Sequence, residues 1–213
     1  MTETARVYGG AFEPANRNNP RTLIAGWVPR SARVLDVGPG DGVISRWLRQ
    51  NKACESVGVE YVAEAAARAR PDFRRMIVGS IEDDAVLAQA AAEGPYDAVI
   101  FADVLEHLVD PWRVLRLIRP TLVPTGRVLV SMPNVAHWIV RLNLLIGRWD
   151  LTEGYIMDRT HLRWFTRRTA CAMAHDTGYA VEAIETVFKP RFIRFWPALM
   201  GYQTVLKLAA RSA

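Results

Sequence analysis

Nine residues, Val34-Leu35-Asp36-Val37-Gly38-Pro39-Gly40-Asp41-Gly42, constrain the fold of this chain more than any other stretch. Branched apolar side chains run into three alternating glycines, and an amphipathic segment from Val43 to Arg49 follows. This order predicts a buried strand, a tight turn and a helix, an arrangement that lets a ligand approach the backbone closely. Farther on, a second apolar run, Ser56-Val57-Gly58-Val59, ends in Glu60. An acid at the tip of the neighbouring strand is placed to accept hydrogen bonds from a ribose diol. The two features together predict a cofactor that contains a nucleoside.

The rest of the chain repeats the alternation of strand and helix. Helices are expected over Pro20 to Trp27, Gly42 to Asn51, an alanine-rich stretch ending at Arg70, Asp83 to Ala92, and Asp110-Pro111 to Ile118. Strands are expected over Arg33 to Val37, up to Glu60, Met76 to Val78, Tyr96 to Ala102 and Arg127 to Ser131. Such alternation implies right-handed crossovers and a mainly parallel sheet with helices on both faces. Two alternating segments near the end, Tyr179 to Val187 and Tyr202 to Leu208, are expected to pair antiparallel at one edge. The fold class is therefore α/β, a Rossmann-like, seven-stranded, mostly parallel sheet with an antiparallel edge.

The 213 residues suit one domain, with an irregular arm over 1–19 that carries Tyr8 and Phe12. Two distant cysteines, Cys54 and Cys171, and a polar start without a signal peptide point to the cytoplasm. No run reaches the roughly 18 apolar residues that span a bilayer. The basic excess is mostly scattered arginine, which disfavours nucleic acid as a partner.

The glycine spacing selects among cofactors. Dinucleotide folds place a pyrophosphate at the helix N-terminus. Here Asp36 and Asp41 put carboxylates in that place, so the loop suits a cationic ligand. The Asp-x-Gly-x-Gly-x-Gly pattern resembles the first motif of class I S-adenosylmethionine (SAM) methyltransferases. That resemblance implies SAM as cofactor, held by Asp36, Gly38, Gly40 and Glu60, with Tyr61 and Ile81 flanking the adenine. Ser80 occupies a place where an acid often binds the adenine amine, and Glu82 is the expected substitute. Asp103, directly after the fourth strand, borders the cofactor as well.

A second constellation, Asp103-Val104-Leu105-Glu106-His107, follows that strand. Ligands of doubly wound sheets bind beyond the strands' carboxyl ends. A helical turn there would put Asp103, Glu106 and His107 on one face, a set that suits a divalent cation. Asp158-Arg159-Thr160-His161 supplies another histidine downstream. Tyr96 through Pro111, with Thr160-His161 and Phe165-Thr166, resembles the ubiquinone-type O-methyltransferases. In them and in the small-RNA 2′-O-methyltransferases such residues bind a divalent metal at the acceptor hydroxyl. Carried over, the ligands are Asp103, Glu106, His107 and His161, with Mg2+ or another divalent cation.

Pro133-Asn134 with His137-Trp138 opens an inserted segment, about 134–166. Paired with Asp158-Arg159-Thr160-His161-Leu162-Arg163, it resembles the acceptor-site insertion of methyltransferases of polysaccharide clusters. The resemblance implies O-methylation of a sugar or oligosaccharide hydroxyl. Activation of that hydroxyl falls either to a metal on Glu106, His107 and His161 or to a histidine base, His137 or His161. Trp138, Trp149, Tyr155 and Trp164 suit stacking on a sugar face, and equally on a flat aromatic or polyketide-like acceptor. Arg159 and Arg163 are positioned to anchor an anionic acceptor or to pair with Asp158 or Glu153. The stripe Trp138, Ile139, Leu142, Leu145, Ile146, Trp149 reads as core or a homodimer face rather than a membrane anchor. A non-catalytic SAM-fold partner protein is the rival from a different class, against which the intact glycine loop and Glu106-His107 argue.

Overall fold

The computed structural model describes residues 12–189 and 195–211. Tyr8 lies outside them, as does the middle of the aromatic link before the last strand. The elements in chain order are α1 (Pro20–Trp27), β1 (Arg33–Val37), α2 (Val43–Lys52), β2 (Glu55–Glu60), α3 (Ala63–Ala69), β3 (Arg75–Val78), α4 (Asp84–Ala92) and β4 (Tyr96–Ala102). There follow α5 (Pro111–Ile118), β5 (Leu122–Pro133), α6 (Trp138–Leu145), α7 (Arg167–Asp176), β6 (Tyr179–Phe188), α8 (Pro197–Met200) and β7 (Gly201–Ala210). The seven strands form one sheet in the order β3-β2-β1-β4-β5-β7-β6. The first five are parallel, and β7 runs antiparallel to both β5 and β6.

Side chains alternate across a strand, so each central strand feeds two cores. In β4, Val99 and Phe101 join the cluster containing Val86 of α4, Leu115 of α5 and Met173 of α7. Ala98 and Ile100 join the opposite cluster, with Ile24 of α1 and Ile44 and Leu48 of α2. The same alternation puts Leu35 and Val37 of β1 on the first face and Val34 on the second. Asp36 follows Val34 on the α2 side, and this decides its partner below.

Local signals explain the ends. Asn19 caps α1 by accepting the Arg21 N–H at 2.9 Å, with Pro20 as first helical residue. At the other end of α1, the Lys52 ammonium donates to the carbonyls of Ala25 (2.8 Å), Gly26 (3.0 Å) and Val28, tying α2 to α1.

Two expectations need revision. Strand β5 begins at Leu122, five residues before the expected Arg127, because Leu122 pairs with Tyr96 across a bulge despite Pro124. The apolar stripe of α6 is not core in this chain. Only Val140 of that helix is buried, while Leu142 and Leu145, and Ile146 and Trp149 beyond its end, are exposed. No helix among the described residues is long and apolar enough to cross a membrane.

Candidate active site

The carboxyl ends of β1 and β4 frame a cleft lined by Arg21, Asp36, Gly38, Pro39, Gly40 and Asp103, among others. Gly38, Gly40 and Gly42 have φ of 64°, 56° and 70°, the left-handed region that side chains resist. A Cβ on Gly38 would stand 2.7 Å from Val104 Cγ2, whereas one on Gly40 would meet nothing within 4 Å. The loop therefore packs at Gly38 and opens at Gly40. Glu60 braces it: Gly40 N–H donates to Oε2 at 3.0 Å and Val62 N–H to Oε1 at 2.9 Å. Asp36 accepts the Ser45 hydroxyl from α2 at 2.7 Å, and its Oδ1 is buried without a partner. Burial pushes its carboxyl up to about 7; Ser45 opposes the rise and Glu60 adds to it. A buried acid with a free oxygen, beside a second acid, is an environment that waits for a donor or a cation.

Beyond β4 the chain makes one 3-10 turn, Leu105–His107. Glu106 is 1 % exposed, and neither carboxylate oxygen has a hydrogen-bond partner among the described residues. Its carbonyl accepts the N–H groups of Leu162 (2.8 Å) and Arg163 (2.9 Å), which draws the downstream histidine segment onto the turn. Asp158 orders that segment, accepting the Thr160 hydroxyl at 2.6 Å and the Thr160 N–H at 2.8 Å. Since the Thr160 proton goes to Asp158, Thr160 Oγ1 can only accept from His107 Nδ1, 3.1 Å away; the Thr160 carbonyl lies 3.2 Å from the same nitrogen. His161 Nδ1 lies 3.0 Å from the Ile156 carbonyl, which likewise can only accept. Both imidazoles thus carry their proton on Nδ1 and leave Nε2 with a lone pair, the tautomer of a metal-binding histidine.

One ligand atom each from Glu106, His107 and His161 lies within 4.8 Å of the other two. Burial, then the negative charges of Asp103 and Asp158, hold the Glu106 carboxyl well above its ordinary range. Burial and His107 hold His161 below its own. A cation among these three would satisfy two orphaned oxygens and two lone pairs, so the residues fit a divalent ion.

Asp103 does not join them. The expected helical face fails because Asp103 lies before the turn, with φ of 57°. Its Oδ1 accepts the Ser131 hydroxyl of β5 at 2.9 Å and the Gln203 amide of β7 at 2.8 Å. Its side chain is thus drawn to the neighbouring strands, and the candidate cation cluster consists of Glu106, His107 and His161.

With this geometry established, comparison with known proteins is decisive. The family described as "Methyltransferase domain" matches residues 14–184. The ubiquinone biosynthesis O-methyltransferase of Aeromonas salmonicida is 30 % identical over 84 % of this chain and 77 % of its own length. The chain is a class I SAM-dependent methyltransferase. A second ubiquinone biosynthesis O-methyltransferase, from Xanthomonas axonopodis pv. citri, is 32 % identical over 59 % of the chain, which spans 54 % of that relative. The CcbJ methyltransferase from Streptomyces caelestis shares the fold at a TM-score of 0.67 and 17 % identity, over 98 % of this chain and 96 % of its own.

Other residues of the methyltransferase fall in several places. Ile81 is core and Tyr61 is 76 % exposed, on the turn after Glu60. Ser80 Oγ accepts the Glu82 N–H at 3.2 Å. Glu82, the expected substitute for the adenine-binding acid, instead accepts the N–H groups of Val109 (3.1 Å) and Asp110 (2.8 Å). Arg159 pairs with Glu153 at 2.8 Å, as one of the two expectations had it, and Arg163 donates to the Val109 carbonyl.

His137 is 3 % exposed at the N-cap of α6, its ring against Trp138 and edge-on to Tyr202 at 5.7 Å, not with the other two histidines. Burial lowers its pKa, with the Lys189 backbone opposing. Trp149 and Trp164, by contrast, reach the cluster through edge-on ring contacts to each other (5.3 Å) and on to His161 (5.6 Å). Arg21, Ser131 and Gln203 escaped the sequence reading. Only the position of Arg21 beside the cap of α1 hinted at a role; nothing local marks the other two.

Proposed function

We propose that this methyltransferase moves the SAM methyl group to a hydroxyl oxygen, beside a divalent cation held by Glu106, His107 and His161. The observation that carries this reading is Glu106: a buried carboxylate with no partner, facing two imidazoles whose Nδ1 protons are already engaged. Leaving such a group unpaired costs on the order of 1–3 kcal/mol or more, which a bound cation would offset. Mg2+ or a borderline ion such as Mn2+ would supply Lewis acidity that lowers the hydroxyl's pKa.

The chain's own residues set the geometry. Asp36 and Glu60 orient the nucleoside half through the glycine loop, with Tyr61, Ser80 and Ile81 toward the adenine. Arg21 is a guanidinium in the same cleft and matches the cofactor's carboxylate in charge and shape. Segment 134–166 would form the acceptor side, with Trp149 and Trp164 as a wall beside His161. In-line placement of the oxygen against the methyl carbon then contributes several kcal/mol, on the order of 7 or more.

A sugar or oligosaccharide hydroxyl remains our first acceptor, since indole faces suit sugar rings. A small aromatic or polyketide-like acceptor is the second reading, favoured by the exposed apolar residues of α6 and by the substrates that the curated relatives' names imply. Calorimetric titration of metal-stripped protein with adenosylhomocysteine, then Mg2+ and Mn2+, tests the site. Transfer from methyl-labelled SAM to monosaccharides and to catechols tests the acceptor. Cofactor binding without cation binding would remove the metal; labelling of catechols alone would remove the sugar.

A further inference from the structure

Asp103 stands between the two halves of the site. It borders the cofactor cleft with Asp36, Gly38 and Gly40, and Arg21 acts on both acids. On the other flank its charge acts on Glu106, and the His107 ring acts on it.

Asp103 has a φ of 57°, in the left-handed region that aspartate, with its short hydrogen-bonding side chain, enters more readily than most residues. Here Ser131 and Gln203, from two different strands, both donate to the same oxygen, Oδ1. No described residue bonds Oδ2, and Asp103 is among the residues that line the cleft. The charged and titratable groups around the carboxylate are Arg21, Glu106, His107, Lys189 and Tyr202. Burial raises its affinity for a proton, while Ser131, Arg21, Gln203 and His107 restrain the rise.

We propose that Asp103, rather than serving as a fourth metal ligand, is the base that receives the acceptor's proton during methyl transfer. The acceptor oxygen forms a bond to the methyl carbon, and the carbon–sulfur bond breaks with its electron pair left on sulfur. The hydroxyl proton passes to Asp103 Oδ2 and from there to solvent. The two donors on Oδ1 oppose the rise in proton affinity that burial causes and tie the side chain to two strands. This proposal rests on the SAM-dependent hydroxyl methylation argued above and gives the proton its destination.

The test needs no acceptor. Sinefungin carries a protonated amine where the cofactor has its methyl-bearing sulfonium, so a carboxylate beside the methyl position should favour it over adenosylhomocysteine. Asp103→Asn keeps the size of the side chain and an oxygen for Ser131 and Gln203. The wild type should bind sinefungin about tenfold more tightly than adenosylhomocysteine, and Asp103→Asn should reduce that ratio to about one. Adenosylhomocysteine and Mn2+ should bind the variant within about twofold of wild type, with Glu106→Gln as the control that loses Mn2+. An unchanged ratio, or loss of Mn2+ by Asp103→Asn, would overturn the proposal. Failure of adenosylhomocysteine to bind the wild type would overturn the cofactor reading with it. Failure of Mn2+ alone would remove the cation and leave the sinefungin ratio readable.

Discussion

Gly38 and Gly147 adopt nearly the same left-handed backbone, with φ of 64° and 76°, in two unlike regions. Gly38 sits in the cofactor loop, where an added Cβ would press on Val104; around Gly147, after α6, a Cβ meets nothing within 4 Å. The cofactor half is braced by Glu60, which accepts from Gly40 and Val62, and by the Ser45 hydroxyl on Asp36. Residues 141–150, which run from α6 into the loop beyond it, are all exposed. The cofactor is one fixed molecule and rewards a rigid cradle, whereas the segment we propose for the acceptor offers an open rim.

The same substitution in both glycines is the strongest way to break that contrast. Each alanine is strained by about 1–2 kcal/mol. Only Gly38→Ala adds the clash with Val104 where the loop meets the cofactor. We expect Gly38→Ala to lower SAM affinity on the order of 100-fold by calorimetry and Gly147→Ala to leave it within about twofold. Equal losses would mean that the acceptor segment is part of the cofactor cradle.

Two buried acids sharpen the comparison. Glu106→Gln should abolish Mn2+ binding, an effect of about 30-fold or more, while raising the melting temperature of the metal-free protein at pH 8. A variant that keeps its Mn2+ affinity would show that the cluster is not a cation site. Asp36→Asn should act through pH. The folded Asp36 carboxyl is raised from 3.8 to about 7, so its contribution is fully present below about 4 and is lost as pH rises through 7. Replacing it should stabilise the free protein at pH 8 by up to roughly 4 kcal/mol, with no gain at pH 4, and weaken SAM binding. Urea unfolding at the two pH values separates this from a general packing change, which would shift both alike.

These sites also show what a sequence makes legible. The strand, the glycine loop and Glu60 were readable because backbone conformation and strand period act over a few residues, and Asp36 falls on the α2 face by that period alone. Glu106, His107 and His161 were readable as a resemblance, and the structure brings them together through the Glu106 carbonyl. The direction of Asp103 was not readable. It depends on a left-handed φ and on donors 28 and 100 residues away, which reach it only once β5 and β7 have paired. Strand β5 was cut short for a related reason. Pro124 is a local break, and pairing across the sheet overrides it. The exposed stripe of α6 defeated the reading in the opposite direction, since helical period shows which residues share a face but not what covers it.

The smallest expected effect lies in that open rim. Trp149 is 46 % exposed and meets the protein edge-on at Trp164, which continues to His161. An aromatic pair of this kind is worth about 0.5–1.5 kcal/mol, so Trp149→Ala should barely move the melting temperature. SAM affinity should stay within about twofold, because no part of the cofactor cleft changes. If Trp149 provides a stacking surface for the acceptor ring, KM for that acceptor should rise about fivefold with kcat unchanged, the signature of lost uniform binding. A fall in kcat at constant KM would instead make Trp149 a support for His161. The acceptor wall and the cation cluster would then be a single unit, and the boundary between rigid cradle and open rim would lie farther out along α6.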